Sequence, residues 1–159
     1  MLKVQTRLDR STIQGLGLYA AEFIPQGTIV WEYHPDIDLV YPAAKVRTLA
    51  DHRLRNFLCI YAYYSRRVGG YILCGDHARF VNHSESANLT GGPGEVSVAN
   101  RDIHEGEEIT DDYFTYDRPE GDEYVEEFFA FEHLLRPAFR QNGHTHSNGA
   151  SQHHGIPAR

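Results

Sequence analysis

Short apolar stretches cut by glycine- and proline-rich turns dominate this chain, and the stretches set its predicted elements. Val4 to Leu8 alternates like an edge strand and is broken by Asp9-Arg10-Ser11. Phe23-Ile24-Pro25-Gln26-Gly27 reads as a turn before a β-rich run from Thr28 to Tyr33. Between Ala43 and about Tyr64 the spacing turns helical, with apolar residues at Val46, Leu49, Ala50, Leu54, Phe57, Leu58, Tyr61 and Ala62 and a break near Asp51-His52. Arg66 to Gly70 ends that stretch. Tyr71 to Cys74 is a short buried strand, Gly91-Gly92-Pro93-Gly94 a turn, and Glu95 to Ala99 a strand. Asn100 to Tyr113 repeats turn and strand. Glu123 to Leu135 is helical in period, with Val125, Phe128, Phe129 and Leu135 apolar. The pattern predicts a mainly β fold of several small sheets with a helical insert at about 43–64, a flanking helix at about 123–135, and a disordered His-rich tail at 136–159.

At 159 residues the chain is long enough for one domain with a core, here residues 1–135. Fifteen Lys and Arg against 22 Asp and Glu leave a formal charge of -7, which argues against a direct nucleic-acid binder and suits a basic protein or peptide partner. About half of the acidic residues fall between Asp102 and Glu127, either a solvated face or a guide for such a partner. Cys59 and Cys74 form no CxxC pair, and no stretch has the length of a membrane span or the run of a signal peptide, so a soluble intracellular protein is expected. His144, His146, His153 and His154 lack Cys or carboxylate partners, and no metal site is assigned to them.

The chemistry concentrates in Asp76-His77-Ala78-Arg79-Phe80-Val81-Asn82-His83-Ser84-Glu85-Ser86-Ala87-Asn88. Hydrogen-bonding side chains crowd around Phe80 and Val81, the composition of a rigid corner that holds a polar ligand. A hydrolase built on Asp76, His83 and Ser84 is excluded, because neighbouring His and Ser do not readily form a nucleophile–base pair. Upstream, Gly15-Leu16-Gly17 is either a tight turn between strands or a loop whose main chain approaches a ligand.

Arg79-Phe-Val-Asn-His-Ser84 resembles the Asn-His-Ser motif of SET-domain protein lysine methyltransferases. Gly15-Leu16-Gly17, Glu32-Tyr33-His34-Pro35-Asp36 and Gly106-Glu-Glu-Ile-Thr-Asp-Asp-Tyr113 follow the family's other motifs in order. The resemblance covers about residues 4–116 and implies a SET fold with a C-terminal pseudoknot. It implies S-adenosyl-L-methionine as cofactor, held by Gly15, Leu16, Gly17, Asn82 and His83 with Tyr61 beside it. It also implies Tyr113 as the catalytic residue, Tyr33 and Asp111 on the substrate side, and Arg79 tied to a carboxylate such as Glu108. Asp111 stands where the family carries a Phe or Tyr, Pro35 where it carries Gly, and Glu85 and Ala87 where it favours Cys and Pro. The family's cysteine-rich zinc segment is missing, so no structural zinc is expected, and Phe128, Phe129 or Phe131 is a candidate cofactor cover. The implied activity is methyl transfer to a lysine amine of a protein, with a basic histone-like tail as a candidate substrate. The alternative is a catalytically impaired SET fold serving as an interaction module.

Overall fold

A computed structural model of the chain describes residues 1–117. The expected helix at 123–135, the tail, and Phe128, Phe129 and Phe131 lie outside them.

Three small sheets carry the fold. The first has the order β1 (Thr6–Arg10), β2 (Leu16–Ala20), β10 (Glu108–Asp111), β7 (Asn82–His83). The second has the order β3 (Ile29–Glu32), β9 (Val96–Ala99), β8 (Leu89–Gly92). The third has the order β4 (Leu39–Pro42), β6 (Gly70–Leu73), β5 (Ala62–Ser65). Leu18 and Ala20 of β2, Val30 of β3, Leu89 of β8, Ala99 of β9 and Ile109 of β10 join Ile24 and Ile103 in one core between the first two sheets. Full burial of each large aliphatic side chain there stabilises by about 1.5–3 kcal/mol.

The predicted buried strand at Tyr71–Cys74 is the middle of the third sheet. Its side chains alternate, with Tyr71 and Leu73 facing Val46 and Leu58 of the helices, and Ile72 and Cys74 facing Trp31. The helical stretch is shorter than its spacing suggested. It divides into α1 (Ala43–Arg47) and α2 (His52–Tyr61), the second opened by Asp51, whose carboxylate accepts the Arg53 amide at 2.9 Å. Ala62 to Ser65 leaves the helix to pair with β6, Tyr63 opposite Ile72 and Tyr64 opposite Tyr71. Aromatic residues suit a pleated, half-buried surface, and that preference overrides the helical period. Arg66–Gly69 is accordingly a hairpin turn, with Gly69 at φ +66°. The first strand starts and ends two residues later than the alternation suggested, running through Asp9-Arg10 to a turn in which Ser11 N donates to Gly15 O at 3.0 Å.

β10 positions the site. It pairs antiparallel with β2 (Ile109 opposite Leu18) and parallel with β7 (Thr110 opposite Asn82, Asp111 opposite His83). Segments far apart in sequence thus become neighbours on one sheet. The buried Asn88 side chain extends the ladder, donating to Glu108 O at 2.8 Å and accepting from Thr110 N at 2.9 Å. No helix among the described residues is long and apolar enough to cross a membrane.

Candidate active site

The loop after β1 needs its first glycine for conformation and its second for space. Gly15 sits at φ +54°, a region that residues with a Cβ rarely adopt. A Cβ on Gly17 would stand 2.8 Å from Cδ of Glu108. Gly17 is buried under that carboxylate and is not on the cavity wall, whereas Gly15 and Leu16 are. Gly17 serves the close packing of β2 on Glu108.

The Asn82–His83 corner follows from β7 and the 3-10 turn His77–Phe80 before it, which Asp76 caps by accepting the Ala78 amide at 2.9 Å. Asn82 Nδ2 donates to Gln14 O (3.2 Å), Leu16 O (3.1 Å) and Glu108 Oε1 (2.8 Å), so the corner holds the glycine loop by its carbonyls. His83 is buried and its Nδ1 accepts the Tyr113 amide at 3.2 Å, which places the proton of a neutral ring on Nε2. The Tyr113 hydroxyl donates to Val81 O. Arg79 lies over the Phe80 ring, 5.5 Å from its centroid. The expected tie from Arg79 to Glu108 is replaced: Glu108 accepts from Asn82, Ser11 Oγ (3.0 Å) and Tyr19 OH (3.1 Å).

These residues meet at one cavity of about 700 Å³, inside the range of roughly 300–1,000 Å³ of small-molecule sites. Gly15, Leu16, Tyr61, Asn82, His83, Asp111 and Tyr113 all line it. Tyr61 packs between Phe57 and Phe80, with centroids at 5.0 and 5.8 Å. Tyr33 is not on the wall. β3 carries a register shift between Ile29 and Trp31, so Val30 and Trp31 are buried in succession; Tyr33, two residues on and on the Trp31 face, packs against the cluster of Trp31, Ile72 and Cys74. Trp31 lines the cavity instead, and its buried Nε1 has no acceptor among the described residues.

The sequence reading missed the tyrosines that complete the wall. Tyr63 packs against Trp31 (6.1 Å) and Tyr116 (5.3 Å), and Tyr116 stacks on Tyr113 at 5.7 Å and 24°. Tyr63 and Tyr116 are each bonded to a carboxylate. Tyr116 OH donates to Asp111 Oδ2 at 2.9 Å, and Tyr63 OH to Glu95 Oε2 at 3.3 Å. Glu95 also accepts from Ser65 and, at 3.4 Å, from Arg67. Tyr63 could have been found had the Tyr61-Ala-Tyr-Tyr64 cluster been read as strand; nothing in the pattern marks Tyr116.

Burial sets the titration of the wall. The Tyr113 and Tyr63 phenols are pushed far up by burial, reinforced by Asp111 at Tyr113 and by Cys74 and Glu95 at Tyr63, so both stay protonated. Burial also raises the Asp111 carboxyl, against the hydrogen bonds from Tyr116 and the Asp112 amide that lower it.

The SET domain family pattern matches residues 15–114. The chain belongs to the SET domain family. It is 38% identical over 126 residues to a Cryptococcus neoformans "Histone-lysine N-methyltransferase, H3 lysine-4 specific", covering 70% of this chain and 8% of that relative. It is 33% identical over 113 residues to the Drosophila melanogaster "Histone-lysine N-methyltransferase trr", covering 67% of this chain and 5% of the relative. The Homo sapiens "Histone-lysine N-methyltransferase 2D" is 32% identical over 113 residues, 67% of this chain and 2% of the relative. The chain therefore spans less than a tenth of the length of these relatives. Among solved structures, an apo ctPRC2 with a doubly mutated Ezh2 matches the SET fold with a TM-score of 0.56 at 23% identity, over 69% of this chain and 15% of that one.

Proposed function

We propose that this SET domain transfers a methyl group from S-adenosyl-L-methionine to the side-chain amine of a lysine in a basic protein or peptide. The observation that carries this reading is the convergence of Gly15–Leu16, Asn82–His83 and Tyr113 on one cavity, although they come from three separate parts of the chain. The residues present fit the cofactor: a positive-φ glycine loop offers main chain, Asn82 and His83 offer polar groups, and Tyr61 and Phe80 offer aromatic surface. When bound, the cofactor supplies an electrophilic methyl group on a cationic sulfonium.

The chain's own residues supply the rest. Free lysine, with a pKa of about 10.4, is an ammonium at neutral pH and must lose its proton to act as a nucleophile. Tyr63, Tyr113 and Tyr116 form a water-poor wall, and desolvation disfavours the ammonium. The carboxylates of Asp111 and Glu95 on the same wall favour entry of a cationic side chain. Tyr113 stays a neutral phenol, so its hydroxyl orients and accepts weak C–H···O contacts, each worth about 0.5–1 kcal/mol, and it does not act as a base. Alignment of donor and acceptor carries most of the acceleration. The names of the relatives make a histone-like tail the first substrate to try.

Calorimetric titration of the purified chain with S-adenosylmethionine tests the reading. Saturable binding that Asn82→Ala weakens by about thirtyfold or more and Tyr113→Phe keeps is expected. A labelled-methyl assay on histone peptides should then show transfer by the wild type and transfer slower by about a hundredfold or more with Tyr113→Phe. Absence of binding by the folded wild type would sink the enzyme reading and leave an interaction module.

A further inference from the structure

We propose that Glu108 is the positioning residue of the cofactor loop, the acceptor through which both sides of residues 11–16 are fixed. This rests on the reading of the cavity as an S-adenosylmethionine site. The loop has two sets of main-chain groups. Its amides at Ile13 and Gln14 donate to Ser11 Oγ at 2.8 and 3.3 Å, and its carbonyls at Gln14 and Leu16 accept from Asn82 Nδ2. Both side chains end on the same carboxylate, Asn82 on Oε1 at 2.8 Å and Ser11 on Oε2 at 3.0 Å. Tyr19 OH adds a third donor, on Oε2 at 3.1 Å, and the missing Cβ of Gly17 lets β2 lie against the group.

The donor inventory explains why a carboxylate stands here. Ser11 Oγ accepts two amides and so has just its proton left for Glu108. Asn82 Nδ2 is a donor with no acceptor capacity. A group facing both must accept on both oxygens, which Glu does and Gln cannot. With Gln, an NH2 would face either the Asn82 amide, or the Ser11 hydroxyl whose lone pairs are taken and the Tyr19 hydroxyl, which can accept it only by giving its proton to Arg10 O. Ser11 would in either case lose its acceptor or face a donor. An unsatisfied donor at this half-buried site is costly, and the cost would fall on the loop.

The test compares wild type, Glu108→Gln, and Glu105→Gln as an exposed control on the preceding turn. Calorimetry should give Glu108→Gln an S-adenosylmethionine Kd raised about tenfold or more, with Glu105→Gln within about twofold of wild type. At saturating cofactor, the peptide KM and single-turnover rate of Glu108→Gln should stay within about threefold of wild type, a split that general destabilisation would not produce. Amide exchange in cofactor-free protein should quicken at Ile13 and Gln14 while Tyr71–Leu73 of β6 keep their protection. Should Glu108→Gln not fold, Ser11→Ala removes one arm alone and should show a smaller rise of about threefold in Kd with the same exchange pattern. Unchanged affinity together with unchanged loop exchange would overturn the proposal. If the wild type bound no cofactor, the site reading would fall, and the exchange arm by itself would decide whether Glu108 holds the loop.

Discussion

The glycine-loop wall of the cavity and its tyrosine wall are held by different forces. Gln14 to Leu16 is suspended from directional hydrogen bonds that pass through Asn82, Ser11 and Glu108. Trp31, Tyr63, Tyr116 and Tyr113 instead form a row of ring contacts at 5.3–6.1 Å, with a carboxylate bonded to each of the two middle tyrosines. Polar suspension demands particular residues at particular spacings, because each donor must meet its acceptor. Aromatic packing accepts many arrangements of similar volume. The first wall should therefore fail sharply under single substitutions and the second gradually.

Tyr113 is the residue where the two walls meet, and its change should have the largest effect. Tyr113→Phe should lower single-turnover methyl transfer by about a hundredfold or more while cofactor affinity stays near wild type. Asn82→Ala comes next. Loss of one amide that serves two loop carbonyls and Glu108 should cost about 2–4 kcal/mol in cofactor affinity, read by calorimetry.

Gly17→Ala sharpens the contrast on the loop side. Overpacking against Glu108 should cost about 1–3 kcal/mol in urea unfolding, and most of that should vanish in a Glu108→Ala background where the obstructing carboxylate is gone. Additive costs would show that the carboxylate is not the obstacle.

On the tyrosine side the handle is pH. Burial raises the folded-state pKa of Asp111 above the ordinary value of 3.8, so the folded protein holds that proton more tightly than the unfolded chain. Its contribution to stability is full below pH 3.8 and falls as pH rises through the folded value. Asp111→Asn removes the titration, so stability of the variant relative to wild type should increase from acidic towards neutral pH in a urea series. A difference that shrinks with rising pH would reverse the assigned cause. The smallest effect belongs to Arg67→Ala, which removes an exposed partner of Glu95 at 3.4 Å and should cost less than about 1 kcal/mol.

What the sequence made legible divides along the same line. Asn82, His83, Gly15 and Tyr113 sit in motifs whose order survives in the text of the chain, and all four reach the cavity. The strand at Tyr71–Cys74 was equally plain, since buried runs between turns have few readings. Tyr33 stands just beyond β3, its amide donating to Glu95 O at 3.0 Å and its ring packed with Trp31 against Ile72 and Cys74, and alternation alone does not reveal that Trp31 takes the place on the wall. Tyr63 was hidden by a helical period that continues two residues past the point where pairing with β6 takes over. Glu108 was noticed with the wrong partner: charge suggested Arg79, whereas proximity on the sheet delivers Asn82.

The insertion of β10 between β2 and β7 also governs how the chain reaches its native state. The hairpin of β1 and β2 can close early on local contacts, yet the other edge of β2 waits for a strand about ninety residues further on. Long-range pairing of this kind slows folding, and an open edge beside exposed Leu16 invites association with other chains in the interval. A nascent chain stalled before Glu108 would carry both glycines and the Asn82–His83 segment without a cavity for them to share. Productive expression should therefore depend on temperature and chaperone supply far more than on the final stability of the folded domain.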